Sequence, residues 1–168
     1  TEAALCAAFI AAVGPEWVCY NETASWDILL VRKVDGFQIG VQAKLKFNMI
    51  VLAQAIESGH GWDATGPDYR AVLVPEDQGV RVICDAVGLV MIRPRKHWKN
   101  GFDFDPDFGQ RSYERWHYIN PEKRHLLPAY IPDVPAGVPS PSTLSKWKIG
   151  ALEISAVLEL RGYVTRQD

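Results

Sequence analysis

The sequence predicts an α/β fold: a mixed central sheet flanked by helices, in the order α-β-β-β-α-β-α-β. Three observations predict it. Short apolar runs rich in Val, Ile and Leu recur at strand length between Gly, Pro and Asp punctuation. Two of the early runs are separated by Asp35-Gly36, a hairpin signal. Later runs alternate with helix-length segments, which is how a chain crosses over to parallel strands.

Residues 2–13 are rich in Ala, Leu, Phe and Ile, which favours a helix, and Gly14-Pro15 ends it. "EWVCYN", 16–21, reads as a short edge strand, and "WDILLV", 26–31, as a strong one. "FQIGVQAKL", 37–45, alternates Phe37, Ile39, Val41, Ala43 and Leu45 against Gln38, Gly40, Gln42 and Lys44. Asn48 is a candidate cap for a helix over 48–58 that ends at Gly59. "YRAVLVP", 69–75, has the continuous apolar run of a strand buried on both faces. Residues 78–88 read as a helix closed by Gly88, and "LVMIRP", 89–94, as a final buried strand.

Beyond Pro94 the composition shifts. "RPRKHWKNG", 93–101, is basic and is followed by Phe102, Phe104, Phe108, Tyr113, Trp116 and Tyr118. Basic groups neutralise phosphates and aromatic rings stack on unpaired bases, so Arg93, Arg95, Lys96, Trp98 and Lys99 are the candidate nucleic-acid contacts. The competing reading is a loop folded over the core with a solvated basic rim. Residues 128–141 hold five prolines and read as an extended, stiff linker. The segment 142–162 reads as an apolar-sided helix with Gly162 just past its end, and Thr165 as the cap of another. The expected organisation is a core over 1–96, a basic and aromatic extension over 97–127, the linker over 128–141 and a helical tail over 142–168. That tail is the candidate surface for a homodimer or a protein partner.

The composition narrows the function classes. At 168 residues, 48% hydrophobic and 23% charged, the chain suits one domain with a sizeable core. A formal net charge of -2 excludes a uniformly basic surface but not a basic patch. Cys6, Cys19 and Cys84 form no CxxC or zinc pattern and read as free thiols of a reducing, cytoplasmic protein. No apolar run reaches membrane-spanning length, and the apolar start lacks the basic flank of a signal peptide. The absent initiator Met and the ending "VTRQD" read as a trimmed or partial chain. Asp103, Asp105, Asp107 and Glu114 fall at calcium-loop spacing, but Phe108 stands where the loop needs Gly, so an acidic surface loop is preferred. The four His residues show no metal-ligand spacing, and no phosphate-binding glycine loop or serine-hydrolase elbow is present.

The stretch 25–48 carries the chemistry. Gln42 and Lys44, two residues apart on a strand, share a face, and a hairpin at Asp35-Gly36 brings Asp27 near them. A carboxylate, an amide oxygen and an ammonium beside Glu2 make a site for Mg²⁺ and a phosphate, since Mg²⁺ takes hard oxygen ligands. On a plain solvated face the same residues would do nothing. Asp27, the hairpin and Gln42-Ala43-Lys44 together resemble the PD-(D/E)xK nuclease motif, and the element order resembles that superfamily's restriction-endonuclease-like core over residues 2–94. "NETASWDILLV" is similar to the Ser-then-Asp approach of archaeal Holliday junction resolvases. Gln54 stands where RecB-type nucleases carry a Gln, without their Tyr four residues on. The resemblance implies a Mg²⁺- or Mn²⁺-dependent deoxyribonuclease. Asp27 and Gln42 would bind metal, Lys44 would position water, and Glu2 or Glu22 would add a carboxylate. Position 42 departs from the motif, being Gln rather than Asp or Glu, which removes one negative charge from the metal site. That departure keeps a second expectation open: a non-cutting DNA- or protein-binding module on the same fold, of phage or mobile-element type.

Overall fold

The computed structural model describes residues 1–57, 65–75, 78–97, 101–106, 121, 123–138 and 146–165. It has helix α1 (Glu2–Ala12) and strands β1 (Trp17–Thr23), β2 (Trp26–Arg32) and β3 (Gln38–Ala43). Helix α2 (Met49–Glu57), strand β4 (Tyr69–Leu73), helix α3 (Gln78–Ala86), strands β5 (Val90–His97) and β6 (Gly101–Asp105), and helix α4 (Lys146–Arg161) follow. The strands form one six-stranded sheet in sequence order. β1, β2 and β3 pair antiparallel, β3, β4 and β5 parallel, and β5 and β6 antiparallel. The fold is therefore α/β with a mixed sheet, as the alternation of apolar runs predicts.

Local chemistry accounts for the element ends. The Thr1 hydroxyl accepts the Ala4 N–H at 3.2 Å and caps α1, and Asn48 Oδ1 accepts the Val51 N–H at 3.0 Å and caps α2. Gly88, at φ +74, ends α3, and the Leu89 N–H returns to the Cys84 carbonyl at 2.9 Å. Gly162, at φ +77, closes α4 in the position expected of it. In the β2–β3 hairpin Gly36 takes φ +69, and Asp35 holds the turn through a two-point contact with Arg32. That guanidinium pulls the Asp35 carboxyl down to about 2. Gly59 lies outside the described residues.

Helices cover both faces of the sheet. On the α1 side Cys6 and Phe9 pack on Ile28, Leu30, Val41, Ala43, Leu73 and Ile92. On the other side Val51 and Ala55 of α2 and Cys84 of α3 pack with Trp26, Leu29, Val72 and Met91. β3 is buried along its whole length, so its Gln38, Gly40 and Gln42 do not form a solvated face. Gly40 is needed there because a Cβ would collide with the Trp26 indole.

Two expectations give way. Residues 89–94 are not the final strand: the chain turns back as β6, and Phe104 packs edge-on against Phe9 at 5.3 Å. The Asp103 and Asp105 carboxylates are already engaged, by the Phe104 N–H and by arginines respectively, so those two belong to a strand. Asp107 and Glu114 lie outside the described residues. The proline-rich stretch does not run out as a free linker over 134–138. The Val134 carbonyl accepts from Asn21 at 2.7 Å, Ala136 enters the α1-side core, and the Gly137 N–H donates to Glu22 at 2.8 Å. A chain poor in backbone donors still docks when its few N–H groups meet buried acceptors. α4 contributes no residue to the buried core and exposes Trp147 and Leu160. The residues after Thr165, where a second tail helix is expected, lie outside the described residues. Among the described residues no helix is long and apolar enough to cross a membrane.

Candidate functional site

The site forms where β2 and β3 part. The ladder between them runs from Val31↔Gln38 to Ile28↔Val41 and stops there. Strict alternation would put Trp26 and Ile28 on one face, yet Trp26 packs in the core on the α2–α3 side and Ile28 in the core on the α1 side. The strand turns over at Asp27, so side-chain contacts replace the ladder. Asp27 Oδ2 accepts the Ala43 N–H at 2.7 Å, and Gln42 Nε2 donates to the Ser25 carbonyl at 2.7 Å.

The turn before Asp27 is a strained one. Glu22, Ala24 and Ser25 have φ of +47, +54 and +68, a left-handed region that L residues other than Asn and Asp enter at a cost. Thr23 pairs with Trp26 across Ala24-Ser25, which makes a two-residue hairpin turn. This turn aims the Ser25 carbonyl at Gln42 and sets Asp27 against the Ala43 N–H at the end of β3.

Lys44 follows the last residue of β3. Its backbone N–H bonds the Leu73 carbonyl at 3.0 Å, which fixes the point from which its side chain leaves the sheet. Lys44 Nζ then reaches Glu2 Oε2 at 2.9 Å, on the first turn of α1. Both side chains are about one-third exposed, so the pair lies at the rim and not in the core. Burial raises the Asp27 carboxyl above its ordinary range; the Ala43 N–H and Lys44 oppose that rise and Glu2 adds to it. For Lys44, burial pulls the ammonium down, but the Glu2 hydrogen bond and charge, with Asp27 behind them, raise it. Cys6 lies among these acids, and burial followed by the charges of Asp27, Glu22 and Glu2 pushes its thiol up to about 12. That thiol is inert as a nucleophile.

The structure thus brings Asp27, Lys44 and Glu2 into one electrostatic group. Gln42 is joined to them through the Ser25–Asp27 turn and is only 5% exposed. Glu22 serves elsewhere: it is 3% exposed, and its Oε1 accepts from Gly137 and, at 3.4 Å, from Val138. Among the described residues no three His, Cys, Asp or Glu side chains gather as a metal centre. The expected set of Asp27, Gln42 and Glu2 consists of two carboxylates and one amide. Asp27, Glu2 and Gln42 each keep one side-chain oxygen that takes no hydrogen bond among the described residues; Asp27 and Glu2 flank Lys44, while Gln42 is only 5% exposed. Their chemistry fits Mg²⁺ or Mn²⁺.

Of the candidate nucleic-acid contacts, Arg93 and Arg95 both turn to Asp105, at 3.3 and 2.6 Å. The side chain of Lys96 and the whole of Trp98 and Lys99 lie outside the described residues.

Sequence reasoning missed a second polar constellation. Gln38 exchanges two hydrogen bonds with His125, its Nε2 donating to the backbone carbonyl at 2.8 Å and its Oε1 accepting the N–H at 2.9 Å. The Trp26 indole donates to His125 Nε2 at 3.1 Å, and Arg124 bonds Asp68 at 2.7 Å. The partners are up to 99 residues apart, so no local pattern announces them. Comparison with protein-family models, with curated proteins and with solved structures gave no match to this chain.

Proposed function

We propose that the chain is a metal-dependent deoxyribonuclease with a restriction-endonuclease-like core, a PD-(D/E)xK relative that carries Gln42 at the second acidic position. The observation that carries this reading is the meeting of Asp27, Lys44 and Glu2 at the point where β2 and β3 separate. A half-buried carboxylate beside an ammonium, with its proton affinity raised by burial, is an arrangement that catalysis uses. A divalent cation held by Asp27, Gln42 and Glu2 would act as Lewis acid and neutralise phosphate charge. Lys44, a donor on a rim, orients a water for in-line attack and offsets the charge that builds on the phosphate oxygens. Glu2 holds Lys44 in place before substrate arrives. Asp27, destabilised as an anion by burial, gains from any cation that binds there.

A second reading is supported by Gln42 itself. Its amide is committed to the Ser25 carbonyl and adds no charge to the site. A chain of this fold that binds DNA or a protein without cutting would keep that staple and dispense with a third acid.

Cleavage of linear, circular, single-stranded and branched DNA in Mg²⁺ or Mn²⁺ tests the first reading. Cutting that needs the cation and disappears in Lys44→Ala is the expected result. No cutting by the parent, with cutting restored in Gln42→Glu, would mean a site disarmed at residue 42. DNA binding without cutting in every variant would overturn the nuclease in favour of the binding module.

A further inference from the structure

Asp105 stands at the end of β6 with a side chain only 14% exposed, and three guanidinium groups converge on one of its oxygens. Arg81 of α3, Arg93 and Arg95 of β5 lie 3.4, 3.3 and 2.6 Å from Oδ2. An oxygen of this kind has two lone pairs, while each guanidinium carries five N–H donors. Donors therefore exceed what this acceptor can take. The arginine side chains are 43%, 31% and 57% exposed, so the surplus N–H groups face solvent. Asp103, opposite Arg95 in the register, has Oδ1 occupied by the Phe104 N–H. A structural tie between α3 and the β5–β6 hairpin would need one arginine. Three, brought from two elements and held together by one largely covered carboxylate, make a preorganised fork for an oxyanion.

The position of this cluster is set by the sheet. Ala43, Leu73 and Ile92 stand in one row across β3, β4 and β5. The next residues along these parallel strands are Lys44, Val74 and Arg93. The row is kept by Lys44 N–H to Leu73 and Val74 N–H to Ile92, at 3.0 and 2.9 Å. Lys44 and Arg93 thus stand in one row along the edge where β3 and β4 end and β5 continues, two strand spacings apart, about 10 Å. A DNA strand crossing that edge advances about 3.4 Å per phosphate, so its phosphates fall within reach of both places.

We infer that Arg81, Arg93 and Arg95, gathered by Asp105, form a phosphate subsite that holds a nucleic-acid strand beside the Asp27–Lys44 site. The inference rests on the nuclease reading for the identity of the strand, not for the anion site. Arg81 is the decisive residue, because it lies on α3, outside the basic run 93–99.

The test is binding of a fluorescein-labelled DNA oligonucleotide in EDTA, where no metal-dependent cutting occurs, over a range of NaCl. Arg81→Gln is expected to weaken binding about fivefold, the worth of one exposed charge pair. It should also lower the slope of log affinity against log salt by about one. Arg81→Lys should restore most of the slope but not the full affinity, since it keeps the charge and loses the fork. Parent-like affinity and slope in Arg81→Gln would overturn the subsite even if the parent cuts DNA. A loss in Arg81→Gln with no cutting by the parent in Mg²⁺ would sustain the subsite and sink the nuclease. If inorganic phosphate raises the melting temperature of the parent but not of Arg81→Gln, and the oligonucleotide does not bind, the strand reading is overturned in favour of free phosphate.

Discussion

Asp27 shows how one carboxyl can serve the fold and oppose it. Its Oδ2 closes the gap left by the β2–β3 ladder, while its burial raises the cost of its charge. A carboxyl held above its ordinary value gives its full stabilisation only below that value, and loses it as pH rises through the raised one. The ionised parent therefore carries a penalty at neutral pH that an amide would not. Asp27→Asn keeps the acceptor for Ala43 and should melt higher than the parent at pH 7. The gain is roughly 1 kcal/mol, or about 2–4 °C. The gap should vanish near pH 3; on the proposed nuclease reading it should also shrink when Mg²⁺ is added to the parent, and cleavage should be lost. A variant that melts below the parent at pH 7 would show that Asp27 is satisfied as an anion by the protein alone. Gln42 was legible as a polar residue on a strand, but its partner was not. The amide meets Ser25 only because the turn at 23–26 folds back, and that turn is built from non-glycine residues in left-handed conformations.

The hairpin turn that positions Asp27 is an element carrying strain. A two-residue turn of this type favours Asn-Gly, and the chain has Ala24-Ser25. Each such residue costs about 1–2 kcal/mol relative to a residue suited to it. The double change Ala24→Asn and Ser25→Gly should raise the melting temperature by several degrees, measured by circular dichroism. It leaves the Ser25 carbonyl, a backbone group, free to accept from Gln42, so cleavage should change little. A lower melting temperature would mean that the turn's conformation is not the one described. β6 is the element the sequence reading lost. Gly-Phe-Asp-Phe-Asp alternates with period two, but its acids at odd positions also match a calcium loop and its rings also match a base-stacking surface. Pairing with β5 decides between these, and pairing is a property of two segments.

At the level of the whole molecule, the stretch 134–138 ties the chain together across 115 residues of sequence. Gly137 sits at φ +71, and a Cβ there would lie 2.9 Å from Cys6 Sγ and 3.2 Å from the Glu2 backbone. Gly137→Ala must therefore either strain its backbone or push the first turn of α1. It should cost roughly 2 kcal/mol by denaturant unfolding. On the proposed nuclease reading it should also lower kcat more than it raises KM, because Glu2 shifts and Lys44 loses its holder. An alanine variant with parental stability and kcat would mean that the segment does not press on α1. The same docking explains why Glu22 is spent on the backbone of this segment and leaves the Asp27–Lys44 group.

The sequence by itself determined the α/β class, the β2–β3 hairpin and the caps at Asn48, Gly88 and Gly162, and it offered the five residues Asp27, Gln42, Lys44, Glu2 and Glu22 as a set to watch. These depend on periodicity, turn chemistry and spacing, all of which act over a few residues. Only the tertiary structure decided what those residues hold. Lys44 goes to Glu2, Gln42 to a carbonyl, Glu22 to residues 137 and 138, and Asp105 gathers three arginines. The reason is physical: a buried polar atom must find a partner wherever the packed chain offers one. Among the described residues that partner lies three residues away at Asn48–Val51 and 115 away at Glu22–Gly137.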